Sequence, residues 1–182
     1  MKLVILEREG VIDQDSGAQA DADWQALPGS LDAIARLNRA GYRVAVISQP
    51  VDDGRPDPAQ LQHRQRTLSL AVAEAGGVLE GVYFCPHGRE QDCDCRLPAP
   101  GLFEDLAQRH RAELRGVLAI GDGADFLRAA ATAGADPVLV RTGRGEQTLA
   151  DLGHDAPVMR FSDLARVVDL LLQDPAKQEA TP

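Results

Sequence analysis

Apolar and polar positions come in alternating blocks along this chain, and the blocks predict strands and helices in turn. Leu3-Val4-Ile5-Leu6 is apolar without a break, the pattern of a strand buried on both faces of a parallel sheet. Runs at Tyr42–Ile47, Val78–Phe84, Gly116–Ile120 and Pro137–Arg141 predict four further strands. Between them the apolar spacing changes to the helical period. From Ser30, placed as an N-cap, the stripe Leu31, Ile34, Ala35 and Leu37 predicts a helix that Gly41 ends. Ala59–Ala75, Gly101–His110, Phe126–Ala133 and Phe161–Gln173 predict four more helices. Strand and helix alternate with short joins, so the expected fold is α/β: a doubly wound, mostly parallel, Rossmann-like sheet in a three-layer sandwich.

Polar and glycine-rich stretches fill the joins. Asp13–Gly29 contains the sole tryptophan, Trp24, and is too long for a simple turn, so it is expected to cover a site. Val51–Pro58 reads as a loop and Gly88–Pro100 as an irregular insert. Residues 1–173 are expected to form one domain, and 174–182 a disordered polar tail. The charged and glycine-rich stretches each follow a strand, which places them at one edge of the sheet and points them into one cleft.

Composition narrows the partners. The 182 residues suffice for a single sizeable core, and a formal net charge of −9 argues against nucleic acid or an anionic membrane as partner. No apolar run approaches the ~20 residues of a membrane-spanning helix. Glu7, Arg8 and Glu9 interrupt any leader-like segment, so a cytoplasmic monomer is expected.

Candidate chemistry lies in two places. Glu7 and Glu9 follow the first strand, and alternation along a strand points them the same way. A pair of glutamates there is ordinarily a solvated strand end. The three cysteines, Cys85, Cys93 and Cys95, are poor disulfide material in a cytosolic chain, but with His87 they form C-x-H-x5-C-x-C. Three thiolates and one imidazole are a tetrahedral zinc set with no position left for water, so a structural zinc is expected, holding the insert and Arg96 over the cleft.

The motifs together resemble a known family. They are Leu-Val-Ile-Leu-x-Arg-x-Gly-Val-Ile at residues 3–12, Leu27-Pro28-Gly29-Ser30, Phe84-Cys85-Pro86-His87, Cys93-Asp94-Cys95-Arg96, Pro98-x-Pro100-Gly101, Gly121-Asp122 and Thr142-Gly143-x-Gly145. Over about residues 1–150 the chain is similar to the D,D-heptose 1,7-bisphosphate phosphatases of the haloacid dehalogenase superfamily. It is similar, more distantly, to the histidinol-phosphate phosphatase branch. The resemblance implies a haloacid dehalogenase-like fold without a large cap domain, a phosphorylated sugar as ligand, a magnesium ion and a role in carbohydrate metabolism. It implies an aspartate nucleophile at position 7, an aspartate acid/base at 9 and a phosphoryl-holding hydroxyl at 48. It also implies a lysine at 97 and magnesium-supporting aspartates at 122 and 126. Arg96 would contact substrate phosphate, and Arg144 is a further candidate for such a contact.

This chain departs from that pattern. Positions 7 and 9 are Glu7 and Glu9, position 97 is Leu97, and position 126 is Phe126 with Asp125 one place earlier. Ser48, Asp122 and Arg96 remain. A glutamate is one methylene longer than an aspartate, and a displacement of ~1 Å can reduce a reaction rate ~100-fold. Magnesium asks for near-ideal geometry, so the slot formed by Glu7, Glu9 and Asp122 is expected to hold it weakly. Losing one stabilising donor typically costs about 3–4 kcal/mol in the transition state. The expectation is a catalytically degenerate phosphatase that retains phosphosugar or metal binding. The alternative is a working sugar-phosphate phosphatase with unusual acidic residues.

Overall fold

The structure is a computed structural model that describes residues 2–14, 24–49, 57–88, 90–153 and 156–173. Twelve elements follow in chain order. They are β1 (Lys2–Glu7), α1 (Ser30–Arg39), β2 (Tyr42–Ser48), α2 (Pro58–Glu74), β3 (Gly81–Phe84) and α3 (Gly101–His110), then β4 (Leu118–Gly121), α4 (Ala124–Thr132), β5 (Asp136–Val140), α5 (Gly145–Leu152), β6 (Met159–Phe161) and α6 (Leu164–Gln173). The strands form one sheet in the order β3-β2-β1-β4-β5-β6, and every pairing is parallel. The chain winds outward from β1 to β3, then returns to the other side of β1 and winds outward again. The order reverses between β1 and β4, and ligands of open α/β sheets bind beyond the strand ends at such a point.

Alternation along β1 builds both apolar layers. Val4 and Leu6 pack with Ile34, Leu37, Val44, Val46 and Val168 on the face covered by α1 and α6. Leu3 and Ile5 pack with Ala45, Ile47, Phe103, Leu106 and Phe126 on the face covered by α3 and α4. Glu7 continues the second set, so its side chain leaves the strand on the α4 side.

Several expected boundaries shift. Ser30 is not an N-cap: its hydroxyl donates to the carbonyls of Ile12 at 2.7 Å and Leu27 at 2.9 Å, and Gly29, at φ 77°, precedes the helix. The serine ties the helix start to the loop after β1. β3 begins at Gly81, because the N–H of the exposed Val78 is taken by Asn38 Oδ1 at 2.8 Å, outside the ladder. The sheet gains a sixth strand, β6, which includes Phe161, so α6 starts at Leu164. With three residues, two of them exposed, β6 carries no readable alternation. α5 was likewise not apparent, since among its buried positions are Gly145 and Thr148. Most of the Asp13–Gly29 and Val51–Pro58 loops and the whole 174–182 tail lie outside the described residues. No inserted cap domain is present among the described residues, and no helix there is long and apolar enough to cross a membrane.

Candidate active site

Glu7, Glu9, Ser48 and Asp122 meet at the carboxyl ends of β1, β2 and β4, and all four are buried. The solvated-strand-end reading of the glutamates therefore fails: Glu7 is 6% and Glu9 8% exposed. Glu7 Oε2 accepts hydrogen bonds from the backbone N–H of Asp122 at 2.9 Å and of Gly123 at 3.1 Å. Gly123 is the residue before α4, so the Glu7 carboxyl group sits at a helix N-terminus. Glu9 Oε1 accepts from the Ser48 hydroxyl at 2.6 Å, and its Oε2 from the Gln49 N–H at 3.2 Å.

Asp122 is wedged between two loops. Its Oδ2 accepts from the Arg144 N–H at 2.6 Å, and its carbonyl accepts from the Thr148 hydroxyl at 2.7 Å. Gly10 and Gly143, at φ 77° and 56°, close over its carboxylate: a Cβ on either would fall 2.0 or 2.1 Å from Oδ2. The Thr142 hydroxyl donates to the Gly10 carbonyl at 2.6 Å and locks the two loops together. The side chain of Arg144 reaches the same place, since Arg144 Nη2 and Glu7 Oε1 lie 3.3 and 3.2 Å from where a Gly123 Cβ would stand.

The electrostatics follow from burial. Desolvation, and next the Asp122 carboxylate, push the Glu7 carboxyl well above the ordinary carboxylate range. Desolvation also raises Glu9, opposed chiefly by the Arg8 guanidinium and the Ser48 hydroxyl. Arg8 is itself buried, paired with Asp13 at 2.7 Å, and Trp24 Nε1 donates to the same Asp13 oxygen at 2.7 Å.

Leu97 does not line the carboxylate cluster as a bare wall in a polar cleft. It is 5% exposed and belongs to the apolar layer of Ile5, Ile47, Phe103 and Phe126. Its N–H is bound by Gln49 Oε1 at 2.7 Å. Asp125 does not join the cluster either; it is exposed in the first turn of α4, 3.7 Å from Arg128. Arg96 donates to the His87 carbonyl, which ties it to the cysteine loop and not to a carboxylate. His110 bridges the Tyr83 hydroxyl and Arg43, each at 2.8 Å, and serves the packing of α3 on the sheet.

Cys85, His87, Cys93 and Cys95 bring their ligand atoms within 4.8 Å of one another and could hold a metal ion. The Sγ–Sγ separations of 3.1 and 3.6 Å and the 3.2 Å from His87 Nδ1 to Cys95 Sγ bring the three thiols and the ring nitrogen face to face, with Nδ1 the ring atom turned inward. It is the single such group among the described residues. The three carboxylates that the sequence assigned to magnesium, those of Glu7, Glu9 and Asp122, are buried together at these strand ends.

Sequence reasoning missed Gln49, which holds both Glu9 and the Leu97 amide, and the Arg8–Asp13–Trp24 set. No local spacing marks either, because each contact joins residues brought together by the fold.

A parallel sheet reversing at β1 and β4, with acidic residues at that point, fits the haloacid dehalogenase-like class that the sequence motifs resemble. A family model for HAD-hydrolase-like proteins matches residues 94–167. The chain is 43% identical over 178 residues to the D-glycero-beta-D-manno-heptose-1,7-bisphosphate 7-phosphatase of Bordetella bronchiseptica, covering 96% of this chain and 99% of that one. The enzyme of the same name from Pseudomonas putida is 42% identical, covering 94% and 100%. Among solved structures, D,D-heptose 1,7-bisphosphate phosphatase from B. bronchiseptica, complexed with magnesium and phosphate, aligns with a TM-score of 0.85 at 42% identity, over 95% of this chain and 99% of that one. That from Burkholderia thailandensis aligns at 0.74 and 32% identity, over 96% and 100%. The chain belongs to the D-glycero-beta-D-manno-heptose-1,7-bisphosphate 7-phosphatase family.

Proposed function

We propose that this chain is a catalytically degenerate member of its family, a heptose bisphosphate phosphatase scaffold that retains a phosphosugar-binding cleft and turns over little. The observation that carries the reading is the state of Glu7. Its carboxylate is buried, held by two backbone amides and beside Asp122, while the position of the family's lysine is an apolar core residue. A carboxyl so placed is protonated more readily, which weakens it as a nucleophile. Electrostatic stabilisation of a phosphoryl transition state then lacks a cation that position 97 would supply.

Arg96 and Arg144 are the cations left to meet substrate phosphate, with Ser48 as hydroxyl donor. The Cys85-His87-Cys93-Cys95 set is read as a structural zinc site that fixes the insert and, through the His87 carbonyl, Arg96. The same reading takes residues 1–173 as one domain of a cytoplasmic monomer. A second reading, an active phosphatase of the heptose bisphosphate or histidinol phosphate class using a divalent metal, is favoured by the identity to the relatives.

Phosphate release from heptose 1,7-bisphosphate and from an aryl phosphate, with magnesium, manganese or neither, separates the two. Degeneracy requires turnover far below the usual enzyme range of ~1–10³ per second. Turnover within that range overturns it and establishes the second reading.

A further inference from the structure

We propose that the groove between α2 and the open edge of β3 is a docking site for an extended, acidic segment of a partner protein, which adds to the sheet as a strand beside β3. Gln62, Arg66 and Ser69 of α2 line this groove of about 590 Å³ with Leu79, Gly81 and Val82. None of Glu7, Glu9, Ser48 and Asp122 lines it, so the site is separate from the carboxylate cleft and independent of any turnover there.

The backbone of β3 supplies the first half of the site. β3 is the outermost strand on its side of the sheet, and all four of its residues are half-buried. The Glu80 N–H donates to the Val44 carbonyl of β2 at 2.8 Å. In a parallel ladder alternate residues bond to the same neighbour, so Val82 and Phe84 also face β2. Gly81 and Tyr83 therefore turn their N–H and C=O groups to the open edge. A peptide laid along that edge completes the ladder, the mode by which sheets take extended partners.

α2 supplies the second half. It runs for 17 residues and buries Leu61, Leu68 and Val72, one narrow stripe. Gln62, Arg66 and Ser69, at i, i+4 and i+7, form a polar, exposed face beside that stripe. Gln62 and Arg66 stand ~6 Å apart along the helix. Alternate residues of a strand repeat every ~6.7 Å. Two side chains on one face of an added strand therefore meet Gln62 and Arg66 in step.

Charge selects the occupant. Arg66 is a permanent cation, His63 lies beside it, and no aspartate or glutamate lines the groove. None of the ion pairs among the described residues involves Arg66. Glu80, one residue before Gly81, is taken by Arg43 at 2.6 Å. In a chain of net charge −9, such a surface favours carboxylates. A second copy of this chain paired edge to edge would bring its own Arg66 and His63 to the seam, like charge against like.

The test is fluorescence anisotropy at neutral pH with the zinc-loaded full chain and three labelled heptapeptides: alternating glutamate and valine, alternating lysine and valine, and the acidic peptide N-methylated at alternate amides. The acidic peptide is expected to bind roughly tenfold or more tightly than the other two. Arg66→Glu and Ser69→Trp, both at exposed positions and checked by circular dichroism, should each weaken it by about the same factor. Binding should move the Gly81 and Tyr83 amide signals in the NMR spectrum and should weaken with added salt. Equal binding of acidic and basic peptides overturns the proposal, as does full affinity in a folded Arg66→Glu chain or amide shifts confined to the carboxylate cleft. Absence of binding at about 1 mM acidic peptide overturns it too. Self-association of the parent in sedimentation, abolished by Ser69→Trp, would assign the edge to a second copy and overturn the acidic partner. Should Ser69→Trp fail to fold, Arg66→Glu decides by the same criteria.

Discussion

At the scale of single residues, two substitutions of charge for apolar surface separate this chain from the pattern its family resemblance implies. Leu97 and Phe126 stand in one apolar layer, where the resemblance implies a lysine and an aspartate. Restoring only the lysine places a cation among Ile5, Ile47 and Phe103. Leu97→Lys is therefore expected to destabilise the fold by about 3 kcal/mol, read as a lower midpoint in urea unfolding. Phe126→Asp, at a fully buried ring packed on Phe103, should cost more still, and a Leu97→Lys chain as stable as the parent would show that the layer is open to water. Turnover should rise only when Glu7→Asp and Glu9→Asp accompany both changes, as measured by phosphate release. The raised Glu7 and Glu9 carboxyls make a second residue-scale prediction. The folded state holds their protons more firmly than the unfolded chain does, so their contribution to stability is complete below the ordinary carboxylate range. It declines as pH rises through the raised values. Without added magnesium the melting temperature should fall over that rise, and Glu7→Gln should flatten the fall. A parent curve that climbs with pH across this window would contradict the assigned direction.

At the scale of elements, the site is held by loops that close on one another. Gly143 lies in the join between β5 and α5 at φ 56°, and a Cβ there would meet Asp122 Oδ2 at 2.1 Å and the Gly10 Cα at 2.6 Å. Gly143→Ala is expected to cost at least about 2 kcal/mol, combining backbone strain with displacement of a buried carboxylate. Chemical unfolding measures it, and Gly76→Ala, also at positive φ (83°) but with open space around it, supplies the control for the clash. The cysteine loop has little secondary structure to hold it. Cys93→Ser should drop zinc below one equivalent per chain and make the loop the first site of limited proteolysis. Full zinc content in that variant would remove Cys93 from the ligand set.

At the scale of the whole molecule, strand order does what no single segment can. The uninterrupted apolar runs announced a parallel sheet, and the acidic and glycine-rich ends of those runs announced its ligand edge; both were legible because local pattern and global fold agree there. The cysteine–histidine cluster was legible because all four ligands lie within eleven residues, from Cys85 to Cys95. Less was readable where contacts join distant segments. β6 and α5 lack apolar periodicity, and Ser30 looked like a cap until the loop after β1 supplied its acceptors. By itself the sequence determined the class of fold, the sheet edge where the acidic residues gather, the cysteine–histidine cluster and the longer acids at positions 7 and 9. Tertiary structure alone decided what those acids do. It carried Asp122 and Gly123 from 115 and 116 residues away to bind Glu7, set Ser48 and Gln49 against Glu9, and buried Leu97 in the core. The hydrogen-bonding state of a carboxylate depends on which donors surround it in space, and chain spacing does not encode that arrangement.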